Sequence, residues 1–174
     1  TRSLFRTLSQ QVLSPAKIVT DMNNSISDNN ESNMFVTLIV GILDLETGKL
    51  KLCNAGHNPP ILIRPDGQVS FLEFKTQIFV GVIEEFAYTE DETTLEKGSK
   101  LFLYTDGVTE AENTEKELYG DEKLLKTLSD NNTSDVRTTV NGIEDSVADH
   151  VKEAEASDDL TILLIQYEPG TTNN

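Results

Sequence analysis

The chain has 174 residues, enough for one domain with a hydrophobic core. Its formal net charge is −16, from 30 acidic and 14 basic side chains, and this charge argues against nucleic acid as a partner. The single cysteine, Cys53, excludes an internal disulfide framework and favours the cytoplasm, and the longest apolar run, residues 35–45, is too short to span a membrane.

Two amphipathic helices are predicted at the start of the chain. Ser14 is the expected N-cap of the second helix because Pro15 follows it. The apolar stripes that predict these helices are Leu4, Phe5, Leu8 and Val12 in the first, and Ile18, Val19, Met22 and Ile26 in the second. The polar residues 27–33 then predict a loop.

The middle of the chain predicts antiparallel strands. Residues 34–45 read as a buried strand, 46–49 as a turn, and the following strand alternates apolar and lysine side chains, which predicts burial on one face. Residues 60–64 and the segment up to Phe71 predict a second hairpin around a Pro-Asp-Gly turn.

A third hairpin is predicted between residues 86–95 and 100–105. Two helices should follow, one around Leu124 and one with a stripe from Val136 to Val151, before a last strand at residues 160–167 and a disordered tail at 169–174. Helices that flank a run of antiparallel strands indicate an α+β domain, with boundaries at residues 1–168.

Acidic residues stand near strand ends at three places, one of which is the segment of residues 110–117. Asp106 and Gly107 follow residues 101–105, and Asp158 and Asp159 precede the last strand. Carboxylates that converge at one edge of a sheet suit a hard divalent cation such as Mg²⁺ or Mn²⁺. The alternative is that Asp-Gly forms an ordinary turn and that Asp158 and Asp159 form a solvated cap.

Three motifs in this order resemble those of the PPM family of metal-dependent protein phosphatases, in its SpoIIE/RsbU-type bacterial branch. The strings are LFLYTDGVTEA at residues 101–111, SDDLTI at 157–162, and NAGHNPP at 54–60. The resemblance covers residues 1–167 and implies an α-β-β-α sandwich of two antiparallel sheets flanked by helices. It implies hydrolysis of phosphoserine or phosphothreonine in a protein, with water activated by two divalent ions.

The resemblance assigns roles residue by residue. Asp106 and Asp158 match metal ligands, and Asp159 and Gly107 match neighbours that support the ligands. His57, whose residue type titrates near neutral pH, reads as a general acid or a phosphate contact, and the alternative is that it fixes its loop by hydrogen bonds. The implied partner is a phosphorylated regulator of the anti-sigma factor antagonist type, and an upstream sensory module, which would carry any membrane anchor, is expected. Glu110 and Glu112 read as solvated, His150 as a surface residue and Cys53 as a packed core residue.

The sequence departs from the family at one point. An earlier Gly-Asp motif, on strands that precede the first helix, supplies the carboxylate that bridges both ions, and no such motif precedes the helix here. We therefore expect at most one weak metal site and little activity from these residues by themselves. Uncovered sheet edges predict a homodimer. The competing hypothesis is a non-catalytic pseudophosphatase or protein-interaction module.

Overall fold

The computed structural model describes residues 2–9, 14–28, 30, 34–133, 135–154 and 159–170. Val12, Ser157 and Asp158 lie outside these residues, as do residues 171–174. The elements in chain order are α1 (Arg2–Leu8), α2 (Pro15–Ser27), β1 (Leu38–Leu43), β2 (Lys49–Ala55), β3 (Ile61–Ile63), β4 (Val69–Phe71), β5 (Thr76–Gln77), β6 (Asp91–Thr94), β7 (Lys100–Tyr104), α3 (Asp106–Thr109), α4 (Asp121–Asp130), α5 (Val136–Val151) and β8 (Ile162–Gln166).

The predicted α+β class is confirmed: the chain forms two sheets and helices. These elements divide into two compact units, each made of separated stretches of sequence. The first unit consists of residues 1–59, 73–95 and 169–174, and the second of residues 60–72 and 96–168. No helix in the described part of the chain combines the length and the hydropathy needed to cross a bilayer.

The first unit packs α2 on a sheet of β1, β2, β5 and β6. Strand β2 pairs antiparallel with β1 and β6 and, over two residues, parallel with β5. The predicted stripe of α2 is confirmed, because Ile18, Val19 and Met22 are buried. They form the core of this unit together with Val40, Cys53, Ala55, Val80 and Tyr88. Cys53 is packed as predicted, and burial raises the pKa of its thiol to about 12.

The second unit packs α4 and α5 on a sheet with the strand order β4-β3-β7-β8. All three pairings are antiparallel, and the predicted hairpin of β3 and β4 is confirmed. Leu124 and Leu128 of α4 and Ile143 and Val147 of α5 are fully or almost fully buried, at the helical spacing expected. Phe102 of β7 lies at the centre of this core and is inaccessible to solvent.

The predicted third hairpin is wrong. Strand β6 pairs with β2 in the first unit, whereas β7 pairs with β3 and β8 in the second. Gly98 has the positive φ of a tight turn, yet its amide donates to the carbonyl of Tyr167, which follows β8. A turn fixes only the local direction of the chain, whereas the apolar strand β7 needs neighbours on both edges to be buried.

Two further strand predictions need correction. Residues 34–45 do not form one buried strand: β1 begins only at Leu38, Val40 is its one buried residue, and Met34 and Phe35 are exposed. The one-sided burial predicted for β2 holds for Leu50 and Leu52 but fails at residues 53–55, which are all buried. Strand β2 has neighbours on both edges, and this central position overrides the alternation of its sequence.

Ser14 caps α2 as predicted, and Glu90 completes the cap. The Ser14 hydroxyl accepts a bond from the Lys17 amide and donates to Glu90 Oε2 over 2.7 Å. The same carboxylate accepts from the Ala16 amide at 3.2 Å and from Lys51 Nζ at 3.2 Å. Burial by itself raises the pKa of Glu90, but these hydrogen bonds and the Lys51 charge outweigh it, so that the pKa is lowered overall. Glu90 thus joins the start of α2 to β2.

We predict that Glu90→Gln lowers the free energy of unfolding by about 1–2 kcal/mol at neutral pH, because it removes a charged acceptor from the helix start. The lowered pKa means that the contribution is complete above about pH 4.3, the unfolded value, and is lost as the pH falls through the folded pKa. Urea unfolding of both proteins at several pH values tests this.

The matched control is Glu92→Gln, which removes a half-exposed ion pair with Lys49. A surface pair of this kind contributes at most about 1 kcal/mol. An equal effect of the two substitutions, or an effect of Glu90→Gln that persists at acid pH, would contradict the role assigned to Glu90.

Candidate metal centre

The carboxyl end of β7 presents Asp106 to solvent. The strand ends at the buried Tyr104, Thr105 is extended, and Asp106 is the first residue of the single-turn helix α3. One carboxylate oxygen of Asp106 accepts a hydrogen bond from the Gly107 amide at 3.1 Å. The next buried residue, Val108, anchors the turn in the core of the second unit. Asp106 is therefore exposed on a backbone that is fixed from both sides.

Thr105 joins this turn to the residues before β8. Its amide donates to the carbonyl of Thr161, and its hydroxyl accepts from the Thr161 amide, both at 3.1 Å. The same hydroxyl donates to the carbonyl oxygen of Asp159 at 3.1 Å. The two predicted acidic motifs therefore converge at one end of the β7–β8 pair, although more than fifty residues separate them.

Gly107 permits the closest approach between the two segments. A Cβ built on Gly107 would lie 2.5 Å from the carbonyl oxygen of Asp159 and 3.0 Å from its carbonyl carbon. Contacts below 3.0 Å do not occur for real Cβ atoms, and the atoms that block the position belong to backbone. Glycine is therefore required at position 107 for a steric reason, because any larger residue would push the backbone of Asp159 away from α3.

The donor chemistry at this end suits a hard divalent cation. Asp106 offers carboxylate oxygen, and Asp159, also exposed, brings its segment alongside. Among the described residues, no group of three or more His, Cys, Asp and Glu side chains is placed to hold a metal ion. Asp158 lies outside those residues, so its role as a ligand stays a prediction, as do those of Asp106, Asp159 and Gly107.

His57 lies in a loop of the first unit that hydrogen bonds hold in place. The Asn54 side chain accepts from the His57 amide at 2.8 Å and donates to the His57 carbonyl at 2.9 Å. Gly56 has φ +76°, and the Phe79 ring occupies the position that a Cβ would take. The His57 ring faces the Thr37 hydroxyl at 3.4 Å from Nδ1. These contacts account for a fixed loop, and a contact of His57 with substrate stays a prediction.

The segment after α3 is held to α5 by His150, which the sequence indicated only as a surface residue. Nδ1 of His150 lies 2.9 Å from Lys123 Nζ, and Nε2 lies 3.0 Å from the carbonyl oxygen of Glu117. Lysine only donates, so Nδ1 is the acceptor and Nε2 carries the hydrogen that reaches Glu117. His150 thereby fixes the strand-like pairing of Glu112 with Leu118 beyond α3.

Sequence reasoning missed two features of this end of the sheet. The first is that Thr105 joins the two motifs. The sequence does show a hydroxyl residue between an apolar strand and Asp-Gly, and such a residue often bonds to nearby backbone. Helix α3 was missed because a single turn has no periodicity to detect. Glu110 is exposed and Glu112 pairs with Lys116 at 2.8 Å, so neither changes the proposed ligand set.

Comparison with known proteins gives a consistent answer. A family model described as stage II sporulation protein E (SpoIIE) matches residues 1–168. Protein IcfG of Synechocystis sp. (strain ATCC 27184 / PCC 6803 / Kazusa) is 30% identical over 139 residues, which are 80% of this chain and 22% of IcfG. Phosphoserine phosphatase RsbU of Bacillus subtilis (strain 168) is 25% identical over 153 residues, 87% of this chain and 45% of RsbU. The chain thus spans less than half the length of these curated relatives.

Solved structures show the same fold. The SiaA-PP2C domain of Pseudomonas aeruginosa superposes with a TM-score of 0.84 at 18% identity, covering 96% of this chain and 67% of that one. The catalytic domain of the serine/threonine protein phosphatase PstP, solved in complex with two manganese ions, has a TM-score of 0.64 at 16% identity and covers 93% and 76%. The described α+β arrangement is therefore that of PP2C-type phosphatase domains.

We predict that Gly107→Ala destabilises the second unit by about 2 kcal/mol, because the added Cβ must displace the backbone of Asp159. Thermal unfolding measures the loss. The control is Gly41→Ala in β1, where an added Cβ meets only ordinary contacts, the nearest at 3.5 Å. Gly107→Ala and Gly41→Ala proteins of equal stability would contradict the close approach of the two segments.

Proposed function

This chain belongs to the SpoIIE (stage II sporulation protein E) family, and on that premise we propose that it is a metal-dependent phosphatase domain acting on phosphoserine or phosphothreonine in a regulatory protein. The observation that supports this best is the convergence of the Asp106 turn with the segment of Asp159, through Thr105 and Gly107. In the proposed role, residues 1–168 form the phosphatase domain.

The proposed metal ligands are Asp106 and Asp158. Asp106 follows the end of β7. Tyr104 before it and Val108 after it are buried in the core, so packing sets the backbone position of Asp106. Gly107 and Asp159 keep the two acidic segments together without being ligands themselves. A divalent ion such as Mn²⁺ or Mg²⁺ bound there supplies charge that polarises phosphoryl oxygens and lowers the pKa of coordinated water.

Charge gives a second reason to expect metal dependence. The net charge of −16 repels a phosphorylated partner, and cations near Asp106 would offset that repulsion locally. The relative RsbU is named a phosphoserine phosphatase, and a similar solved structure contains the RsbU and RsbW domains of one mycobacterial protein. We propose a partner of the same signalling type, a phosphorylated anti-sigma factor antagonist, and a cytoplasmic site of action that also suits the buried single thiol.

We predict that Asp106→Asn and Asp158→Asn, made in the full-length protein that contains these residues, each lower Mn²⁺-dependent phosphatase activity by about 100-fold or more. Each change should also weaken Mn²⁺ binding at least about tenfold, measured by electron paramagnetic resonance of the free ion. Asp145→Asn, an exposed aspartate within α5, is the control and should leave both measurements unchanged. Full activity and affinity in both variants would refute the metal proposal and favour a non-catalytic interaction module.

We expect the 174 residues by themselves to be nearly inactive. The family resemblance implies a third carboxylate that bridges two ions, whereas Asp106 and Asp158 suffice for one weak, water-rich site. Hydrolysis of para-nitrophenyl phosphate with added Mn²⁺ tests this, and turnover equal to that of the full-length protein would show that the bridging carboxylate is dispensable. Light scattering of the same sample tests the predicted homodimer.

A further inference from the structure

The amino end of β7 carries a buried cation. Lys100 begins the strand and has only 5% of its surface exposed. It lies opposite Ile63 of β3 and opposite Gln166 of β8 in the ladder. Farther along the same face, Phe102, Tyr104 and Leu164 contact the helices of the second unit. The apolar core of this unit therefore ends in a polar row at Lys100 and Gln166.

The positive charge of Lys100 is bound only by neutral groups. Its Nζ donates to Asn132 Oδ1 at 2.7 Å and to the carbonyl of Thr133, in the loop between α4 and α5. Burial lowers the pKa of this ammonium group. Within the described ranges no carboxylate lies within ion-pair distance of Lys100 or of the nearby Arg64.

Lys100 and Arg64 line one cavity of about 290 Å³, together with Asn132, Thr133 and Gln166. Arg64 follows β3 and donates from one guanidinium nitrogen to Ser70 Oγ at 3.1 Å. Asn132 accepts from Lys100 through its oxygen, so its amide nitrogen is a further donor. Gln166 of the lining donates from Nε2 to the Glu168 carboxylate at 2.9 Å. The lining thus combines two cations with several neutral donors.

We propose that this cavity binds a small oxyanion, of which inorganic phosphate is the best match. A phosphate dianion offsets two positive charges and accepts several hydrogen bonds at once, and guanidinium and ammonium groups are its usual protein partners. The cavity lies at the opposite end of β7 from Asp106, and the strand itself, from Lys100 to Tyr104, spans roughly 13 Å over its four residue steps. It is therefore a separate site from the proposed metal centre and does not depend on it.

A purely structural role for Lys100 is the competing explanation. The ammonium group satisfies Asn132 and the Thr133 carbonyl just beyond the end of α4, where a cation is favourable. That role requires Lys100 but does not require the charge of Arg64, whose side chain lines the same cavity. Removal of the Arg64 charge therefore separates the two explanations.

The test is isothermal titration of the full chain with sodium phosphate to about 10 mM in metal-free buffer of constant ionic strength. We expect saturable binding that Arg64→Gln weakens about tenfold or more, the loss expected for a charged contact. Lys97→Gln removes an exposed lysine of the adjacent turn and should leave the affinity within about twofold. Asp106→Asn should also leave it unchanged.

Absence of saturable phosphate binding would overturn the proposal, as would equal affinity of the Arg64→Gln and wild-type proteins. Loss of binding in Asp106→Asn would also overturn it, because the phosphate would then bind at the other end of β7. Thermal unfolding of each variant without phosphate shows whether it is folded, and Arg64→Gln is the decisive variant because Arg64, unlike Lys100, is only half-buried.

Discussion

The contact between Gly107 and the carbonyl of Asp159 is the constraint on which the proposed site depends. It brings the end of β7 and the residues before β8 close enough for Thr105 to bond both Asp159 and Thr161. Two segments that are distant in sequence can bind one metal ion together only if their backbones are held at a fixed separation. Here the separation is set by the absence of a single Cβ and by three hydrogen bonds of one threonine.

This contact is rigid because the sheet behind it is packed. Strand β7 pairs on both edges and contributes Phe102 and Tyr104 to the core that α4 and α5 cover. Motion of Asp106 would require Val108, which is fully buried, to leave that core. The exposed carboxylate therefore stands on a backbone whose displacement would cost buried apolar contacts, as a preorganised ligand requires.

Charge has been distributed unevenly over the second unit. Acidic residues dominate the chain, and Asp106 stands exposed at one end of β7, whereas Lys100 and Arg64 line a cavity at the other end. A short strand thus separates the proposed cation site from the proposed anion site. Each site uses the same principle, since the sheet supplies fixed positions and the loops at its two ends supply the charged groups.

The sequence by itself determined every helix except α3, most strands, the α+β class and the family, because these follow from periodicity, capping and local motifs. Residues close together in the chain determine the apolar stripe of α2, the Ser14 cap, the bounds of α5 and the β3–β4 hairpin. The convergence of the two acidic motifs was predicted from their places at strand ends and from the resemblance, whereas the contacts of Thr105 and Gly107 that produce it were not predicted. Only the tertiary structure decided three other features: the strand pairing after Gly98, the burial of β2 on both faces and the hydrogen bonds of His150. Those features depend on which distant surfaces can be buried together, and no local pattern encodes that choice.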